Sequence, residues 1–225
     1  MERRMPTTPR LDAAMGIVFV MLVTAALLLP GQPPKADDTA ATVAALLIEK
    51  RTAFLVGGYI GGLSSIAFLW FIAAVRDHLD RQGTTQLASA AFAGGIVAMT
   101  LMLVGIILID GVAFVTAGVG DPAIVRAAND MGTFALETSK FGFALFILAV
   151  SRSGRSTDAL PRWLARLGIG FVAVLLPSAF ALVAEHGVFQ FGGVIDLAGG
   201  LLPPIWIVAL SVVMMRPGTH EAVTS

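Results

Sequence analysis

The sequence contains no cysteine and unusually few charged residues. Without cysteine, the chain has no disulfide, no thiolate metal site and no thiol nucleophile. Charged residues make up 13% of the 225 residues, whereas soluble domains carry about 25%. The charges sum to zero and form no block of one sign, so nothing indicates nucleic-acid binding. A chain with so few polar side chains cannot cover a water-soluble globule.

Motifs for catalysis, metal binding and phosphate binding are also missing. No G-x-S-x-G, H-E-x-x-H, P-loop or dinucleotide-binding pattern occurs. The three histidines, His78, His186 and His220, lie far apart and lack metal-ligand spacing. The sequence therefore predicts neither a metal nor a cofactor. An enzyme that acts on a lipid through carboxylates near the membrane interface stays open as an alternative.

Apolar residues dominate what is present, at 56% of the chain and a mean hydropathy of +0.85. Six segments are long enough, or nearly so, to cross about 30 Å of hydrocarbon as helices. They are 13–30, 53–75, 87–109, 131–150, 163–184 and 193–215. The first is interpreted as a retained helix, because its apolar run is too long for a signal peptide and no clear cleavage site follows. The predicted fold is an all-α polytopic membrane bundle of six transmembrane helices, a single integral membrane domain over 1–225.

Lysine and arginine are distributed unevenly around these spans. Ten of the fifteen lie in the N-terminus, the loop at 76–86, the loop at 151–162 with Arg166 just beyond it, and the C-terminus. Four lie on the other side, and Lys140 lies inside the fourth span. This asymmetry predicts that both termini are cytoplasmic. Trp70 and Trp163 then fall near the inner interface, which indole rings prefer.

Two of the outer loops contain helix signals. In the first, Asp37, Asp38 or Thr39 can cap a short helix that ends near Glu49, Lys50 and Arg51, with an apolar side formed by Val43, Leu46 and Leu47. We expect this helix to lie on the outer surface. In the second, Asp121 followed by Pro122 is a good helix start, and the helix can run directly into the fourth span.

The fourth span carries an unusual polar stripe. Asp130, Thr133, Glu137 and Lys140 follow one another at steps of 3, 4 and 3, which places them within about 80° on one helix face. Facing lipid, each charge would cost about 2.5–3.5 kcal/mol. The stripe must therefore face the bundle or a wet cavity, with Lys140 near the middle of the bilayer.

Other charged residues fall in the outer half under this topology. We expect them to rim an outward-facing polar vestibule whose floor is Glu137 and Lys140; the rim candidates are Asp110, Arg126, Asp130, Glu185 and Asp196. The alternative is structural. Glu137 and Lys140 can pair with each other at i, i+3, or Lys140 can pair with Asp110 or Asp196 and hold two helices in register.

Small residues form two rows in the second span. Gly57, Gly61 and Ser65 form one row, and Gly58 and Gly62 form the other. Small residues four apart let helix backbones approach closely in lipid, either within the chain or at a partner subunit.

Tyrosine and proline mark four further positions. Tyr59, the only tyrosine, is either a hydrogen-bonding partner for the vestibule or an interfacial aromatic. Pro203 and Pro204 are predicted to weaken or break the sixth span, and Pro177 to act similarly in the fifth. Discontinuous helices near mid-membrane recur at transporter binding sites.

As a set, three stretches resemble a widespread family of uncharacterised bacterial six-span membrane proteins of the domain-of-unknown-function type. The stretches are "LLLPGQPPKADD", "EKRTAFLVGGYIGGLSSIAFLWFIAAVRDHL" and "ALPRWLARLG". The resemblance covers most of the chain and implies six helices in a bacterial cytoplasmic membrane. It implies no activity and no functional residues.

The leading functional prediction is a non-enzymatic integral membrane protein that binds or passes a small or lipid-like molecule through an outward-facing polar cavity. The alternative is a structural or accessory subunit in which the charged pair only fixes helix packing. The predicted partners are the lipid bilayer and a small-molecule or lipid ligand, with an oligomer or partner subunit open and no nucleic acid.

Overall fold

The structure of the chain is a computed structural model that describes residues 9–31, 34, 38–115, 120–157, 160–182 and 193–216. These residues form seven α-helices and one 3-10 turn at Ala179–Leu182, and none of them lies in a strand. The helices are α1 (Pro9–Leu28), α2 (Ala40–Glu49), α3 (Arg51–Arg81), α4 (Thr85–Val115), α5 (Pro122–Thr157), α6 (Arg162–Ser178) and α7 (Val194–Met215). The predicted all-α class is confirmed.

Six of these helices are long and apolar enough to cross a membrane. They are α1 and α3 to α7, in the order that hydropathy predicts. The structure lengthens several of them: α3 and α4 have 31 residues each and α5 has 36. The length and composition of these helices are those of an integral membrane protein. That residues 1–225 form a single domain stays a prediction.

The six long helices pack as a closed ring in the order α1, α3, α4, α5, α6, α7 and back to α1. The short helix α2 packs against α5 and α3. We call the end of the bundle that carries α2 the α2 end; there α1 and α4 finish and α3 and α5 begin.

Aromatic side chains fill the centre of the ring. Phe68 of α3 lies 4.6 Å from Phe19 of α1 and 5.7 Å from Phe143 of α5, measured between ring centroids. Phe146 of α5 lies 5.8 Å from Trp206 of α7 with the rings perpendicular. Such pairs contribute about 0.5–1.5 kcal/mol each beyond their burial. One aromatic cluster therefore joins four of the six long helices, α1, α3, α5 and α7.

Glycine allows close approach at most helix crossings. At three of them a serine hydroxyl of one helix lies where a Cβ on the facing glycine would sit: Gly16 with Ser211, Gly168 with Ser151, and Gly199 with Ser178. Along α4 and α5 the backbones themselves meet, since a Cβ on Gly105 would lie 2.7 Å from the Gly132 carbonyl oxygen. Small residues thus set the spacing of helices that lipid alone would not drive together.

The glycine rows predicted in α3 face two neighbours. A Cβ on Gly57 would lie 2.9 Å from the Ala26 carbonyl oxygen of α1, whereas Gly61 faces Ile106 of α4. Ser65 is buried and donates a hydrogen bond to the Gly62 carbonyl oxygen at 2.6 Å. Nothing lies within 4 Å of a Cβ on Gly62. The first row therefore packs within the chain, whereas Gly62 leaves open space.

The α2 end is closed by α2 and by two cations. Thr39 is the N-cap of α2 and accepts a hydrogen bond from the Thr42 amide at 3.2 Å. Val43 and Leu47 are buried in a second apolar cluster with Phe54, Ala113 and Val125. Lys50 donates to the Pro30 carbonyl oxygen at 2.9 Å, and Arg51 donates to that of Phe114 at 3.1 Å. The predicted short helix is confirmed, with Thr39 as its cap, and its position on the outer face stays a prediction.

The prolines behave differently from the prediction. Pro203 and Pro204 lie inside α7, which continues unbroken from Val194 to Met215, so the predicted break in the sixth span is wrong. They are the tenth and eleventh of its 22 residues, and packing of the buried Trp206 and Ile207 against the bundle holds the helix together despite the hydrogen bonds that the two prolines cannot donate. Pro177 does mark a change, because α6 ends one residue later and the chain tightens into the 3-10 turn.

Candidate functional site

The polar stripe lies on one continuous helix. Asp121 precedes α5, and its carboxylate accepts a hydrogen bond from the Ala123 amide at 2.9 Å. From Pro122 the helix runs without interruption through the predicted fourth span, as expected. Glu137 is 7% exposed and Lys140 is 6% exposed. Their stretch of the stripe therefore faces the interior of the bundle, as the cost of lipid-exposed charge requires.

Lys140 joins two carboxylates. Its Nζ donates to Glu137 Oε2 at 2.5 Å, one turn earlier on α5. The same Nζ donates to Oδ1 of Asp196 on α7, a residue that is 6% exposed. We call Glu137, Lys140 and Asp196 the ionic triad. It links two helices that are separated in the ring by α6.

The ionic triad lies near mid-height of the bundle. Lys140 is 18 residues from the start of α5 and 17 from its end, about 27 and 26 Å at 1.5 Å per residue. A Cβ on its neighbour Gly142 would lie 2.5 Å from the Ala98 amide nitrogen, and Ala98 is close to the midpoint of α4. A hydrocarbon layer of about 30 Å centred on these helices would therefore contain the triad.

At this same depth α7 begins. Asp196 is the third residue of α7, and Gly199 packs against Ser178 at the end of α6. The described parts of α6 and α7 therefore occupy the half of the bundle away from the α2 end. The N-terminus of a helix carries a partial positive charge, which favours the Asp196 carboxylate in the first turn. The connection at 183–192, with Glu185 and His186, lies outside the described residues.

The charges of the triad do not cancel. Two carboxylates and one ammonium sum to −1 when all three are ionised. Pairing removes much of the cost of burying ions, but only when the charges and hydrogen bonds are matched. The arrangement thus has one negative charge more than a helix-joining ion pair needs.

The remaining predicted site residues are spread out. Asp130 is exposed and is paired with Arg126 at 2.7 Å, one turn away on α5. Thr133 is partly buried between this pair and Glu137. Asp196, expected at the rim, lies at the floor instead. Its depth could not be derived from sequence, because hydropathy gives the extent of a span but no height relative to its neighbours.

Asp110 and Tyr59 lie away from the triad. The Asp110 carboxylate on α4 occupies the space where a Cβ on Gly58 of α3 would lie. Tyr59 is 70% exposed on the outside of α3. The structure therefore brings together Glu137, Lys140 and Asp196 only, and does not assemble the full predicted rim.

No family model, curated protein or solved structure matches the chain. The ionic triad and its surroundings are therefore the features of the molecule that bear on its function.

Proposed function

We propose that this integral membrane protein binds or passes a small or lipid-like molecule at a polar site near mid-membrane, with the ionic triad as its floor. The observation that carries the proposal is the position of Lys140 between carboxylates of two helices, at the depth where α7 begins. Ionisable residues in membrane spans mark substrate or ion pathways by default. Helix ends near mid-membrane are a recurrent way to build such sites.

The surplus acid favours binding over packing alone. One carboxylate on α7 would be enough to join it to Lys140, yet Glu137 also binds the same ammonium. An extra buried carboxylate adds a desolvation cost without linking another helix. In a binding site, the additional carboxylate can interact with a polar or charged ligand.

The proposed access route runs from the α2 end. There α3, α4 and α5 extend well beyond the triad, whereas the described part of α7 does not. The distribution of lysine and arginine supports placing the α2 end outside and both termini in the cytoplasm. The family resemblance supports a bacterial cytoplasmic membrane.

Cysteine labelling tests the route, because the chain has no cysteine of its own. Single cysteines replace Thr133, above the triad, and Lys140, within it. The matched control is Phe141→Cys, since Phe141 is next to Lys140 in depth but is 48% exposed on the outside of the bundle. A membrane-impermeant thiol reagent added outside should label positions 133 and 140 and spare 141. Protection of both sites in folded protein would contradict the proposal.

An accessory or structural role is the second candidate. The observation that favours it is that all three triad residues are buried and paired, and that the pairing joins α5 to α7 in addition to the Phe146–Trp206 contact. Protection of position 133 together with position 140 would support this role.

A further inference from the structure

We infer that the ionic triad holds one exchangeable proton, shared between Glu137 and Asp196. The inference deepens the proposed function, because it names the species that the mid-membrane site takes up. It starts from the count of two carboxylates to one ammonium within a single hydrogen-bonded cluster. Uptake of one proton converts one carboxylate into a neutral carboxylic acid and brings the cluster from −1 to zero.

The geometry favours a proton over a metal ion. The Lys140 ammonium already occupies the position between the two carboxylates where a metal ion would lie. Hard cations such as Ca²⁺ need six or more oxygen ligands, and the described residues contain no cluster of metal-ligating side chains. A proton needs no coordination shell and adds a donor, which the acid can use toward the neighbouring carboxylate.

Within the described helices, no other charge lies at this depth to neutralise the triad. Towards the α2 end, the nearest charged groups are Asp110 on α4 and the pair of Arg126 and Asp130 on α5. Towards the other end they are Arg152 on α5, Arg166 on α6 and Arg216 after α7. Of the charged groups on the remaining helices, Arg76 of α3 pairs with Asp80 and Asp12 of α1 accepts a hydrogen bond from Trp70, while Tyr59 lies on the outside of α3. On α5 itself, Asp130 and Arg152 are seven and twelve residues from the triad, or about 10 and 18 Å along the helix. The 3-10 turn contributes no titratable side chain.

The proton comes from water on the α2 side, by the route of the proposed function. A hydronium ion or a buffer acid gives it up, so the donor's bond to the proton breaks as the carboxyl O–H bond forms, and water or the buffer's conjugate base remains in the bulk. Lys140 stays an ammonium and keeps its contact with the acid that remains ionised. Release reverses the step, so occupancy by a proton changes the charge of the site by one.

Infrared spectroscopy of the full-length protein in liposomes tests the inference. The carbonyl stretch of a protonated carboxylic acid is resolved from that of a carboxylate and shifts in D₂O. At neutral pH the wild type should show one such acid per chain, and Glu137→Gln and Asp196→Asn should each show none, because each leaves one acid and one base. Lys140→Met should show two. Asp77→Asn changes an exposed carboxylate at the end of α3 that lies away from the α2 end, and its carboxylic-acid band should match that of the wild type.

A wild type without the band, or a band that persists in both single-acid variants, would overturn the inference. The two single-acid variants keep a neutral ion pair and so test it even if Lys140→Met does not fold. Failure of the proposed function is distinguishable, because it appears as protection of the cysteines at 133 and 140. Labelling without the band would retain the binding site and remove its proton.

Discussion

Replacing Lys140 by methionine removes the one cation of the ionic triad while nearly keeping the length of the side chain. Glu137 and Asp196 then remain buried without a base. Removing one partner of a buried ion pair costs about 3–5 kcal/mol. The free energy of protonating a carboxylate gives a second estimate of this loss of stability. The triad holds one proton in our proposal, so the variant must bind one more, and protonating an ordinary carboxyl at pH 7 costs about 4 kcal/mol at 1.36 kcal/mol per pH unit. The two figures agree, and we expect a loss of about 4 kcal/mol in the free energy of unfolding.

The loss should depend on pH and on the number of acids. The native variant binds more protons than its unfolded state, so its stability should rise as pH falls from 7 towards 5. Glu137→Gln or Asp196→Asn in the wild-type background should cost much less, because each leaves a neutral pair. Combining both changes with Lys140→Met removes every charge and should recover most of the stability. Glu137→Gln with Lys140→Met alone should recover only part, since Asp196 stays unpaired.

Fluorescence of Trp206 provides the assay. This residue is fully buried beside Phe146, whereas Trp70 and Trp163 are more than half exposed and can be replaced by phenylalanine in every variant. Unfolding is followed by titration with denaturing detergent. A Lys140→Met variant within about 1 kcal/mol of the parent would refute the burial of the triad, since that is the upper range for exposed pairs. Failure of the triple variant to recover would assign the loss to packing instead of charge.

Two further predictions concern glycines at helix crossings, and their controls are glycines where an added Cβ would contact nothing. Gly168→Ala should destabilise the protein by about 1–3 kcal/mol, because the added Cβ would overlap neighbouring side chains. Gly170→Ala should not, since nothing lies within 4 Å of a Cβ at that position. Equal unfolding free energies for the two variants would contradict the close α5–α6 crossing. Gly58→Ala should lower stability by a similar amount, because the added Cβ would displace the Asp110 carboxylate, and Gly62→Ala should not. The same detergent titration measures both variants. An unchanged unfolding free energy for Gly58→Ala would show that α3 and α4 are not in close contact there.

The sequence predicts the helices well because their causes are local. Apolar runs of about 20 residues identify the six spans, and the Asp121 and Pro122 signals correctly identify the start of α5. The inward orientation of Glu137 and Lys140 also follows locally, because lipid excludes their charges. The sequence offers Glu137, Asp110 and Asp196 as partners for Lys140, and the structure pairs Lys140 with Glu137 and Asp196.

What the sequence cannot provide is the relative height and spacing of helices. The depth of Asp196 depends on where α7 begins beside α5, and no local pattern encodes it. The meeting of Gly105 and Gly132 was also missed, since single glycines in apolar runs do not show the four-residue rows that α3 displays. Pro203 and Pro204 did not break α7 although they lie near its middle, because packing against the neighbouring helices outweighs the two hydrogen bonds that they cannot donate.

The pairing of serine with glycine at three crossings has a consequence for how this chain can change. Each pair has a small combined volume fixed by the distance between two helix axes, and the pairs connect segments as far apart as positions 16 and 211. A methyl group added on one side requires its removal on the other, so the two positions behave as one unit under substitution. The Ser151 and Ser211 hydroxyls make no hydrogen bond within the described residues, so replacing either serine by alanine removes the oxygen that fills this space without breaking a hydrogen bond. In any set of related chains, these pairs are where distant positions should vary together.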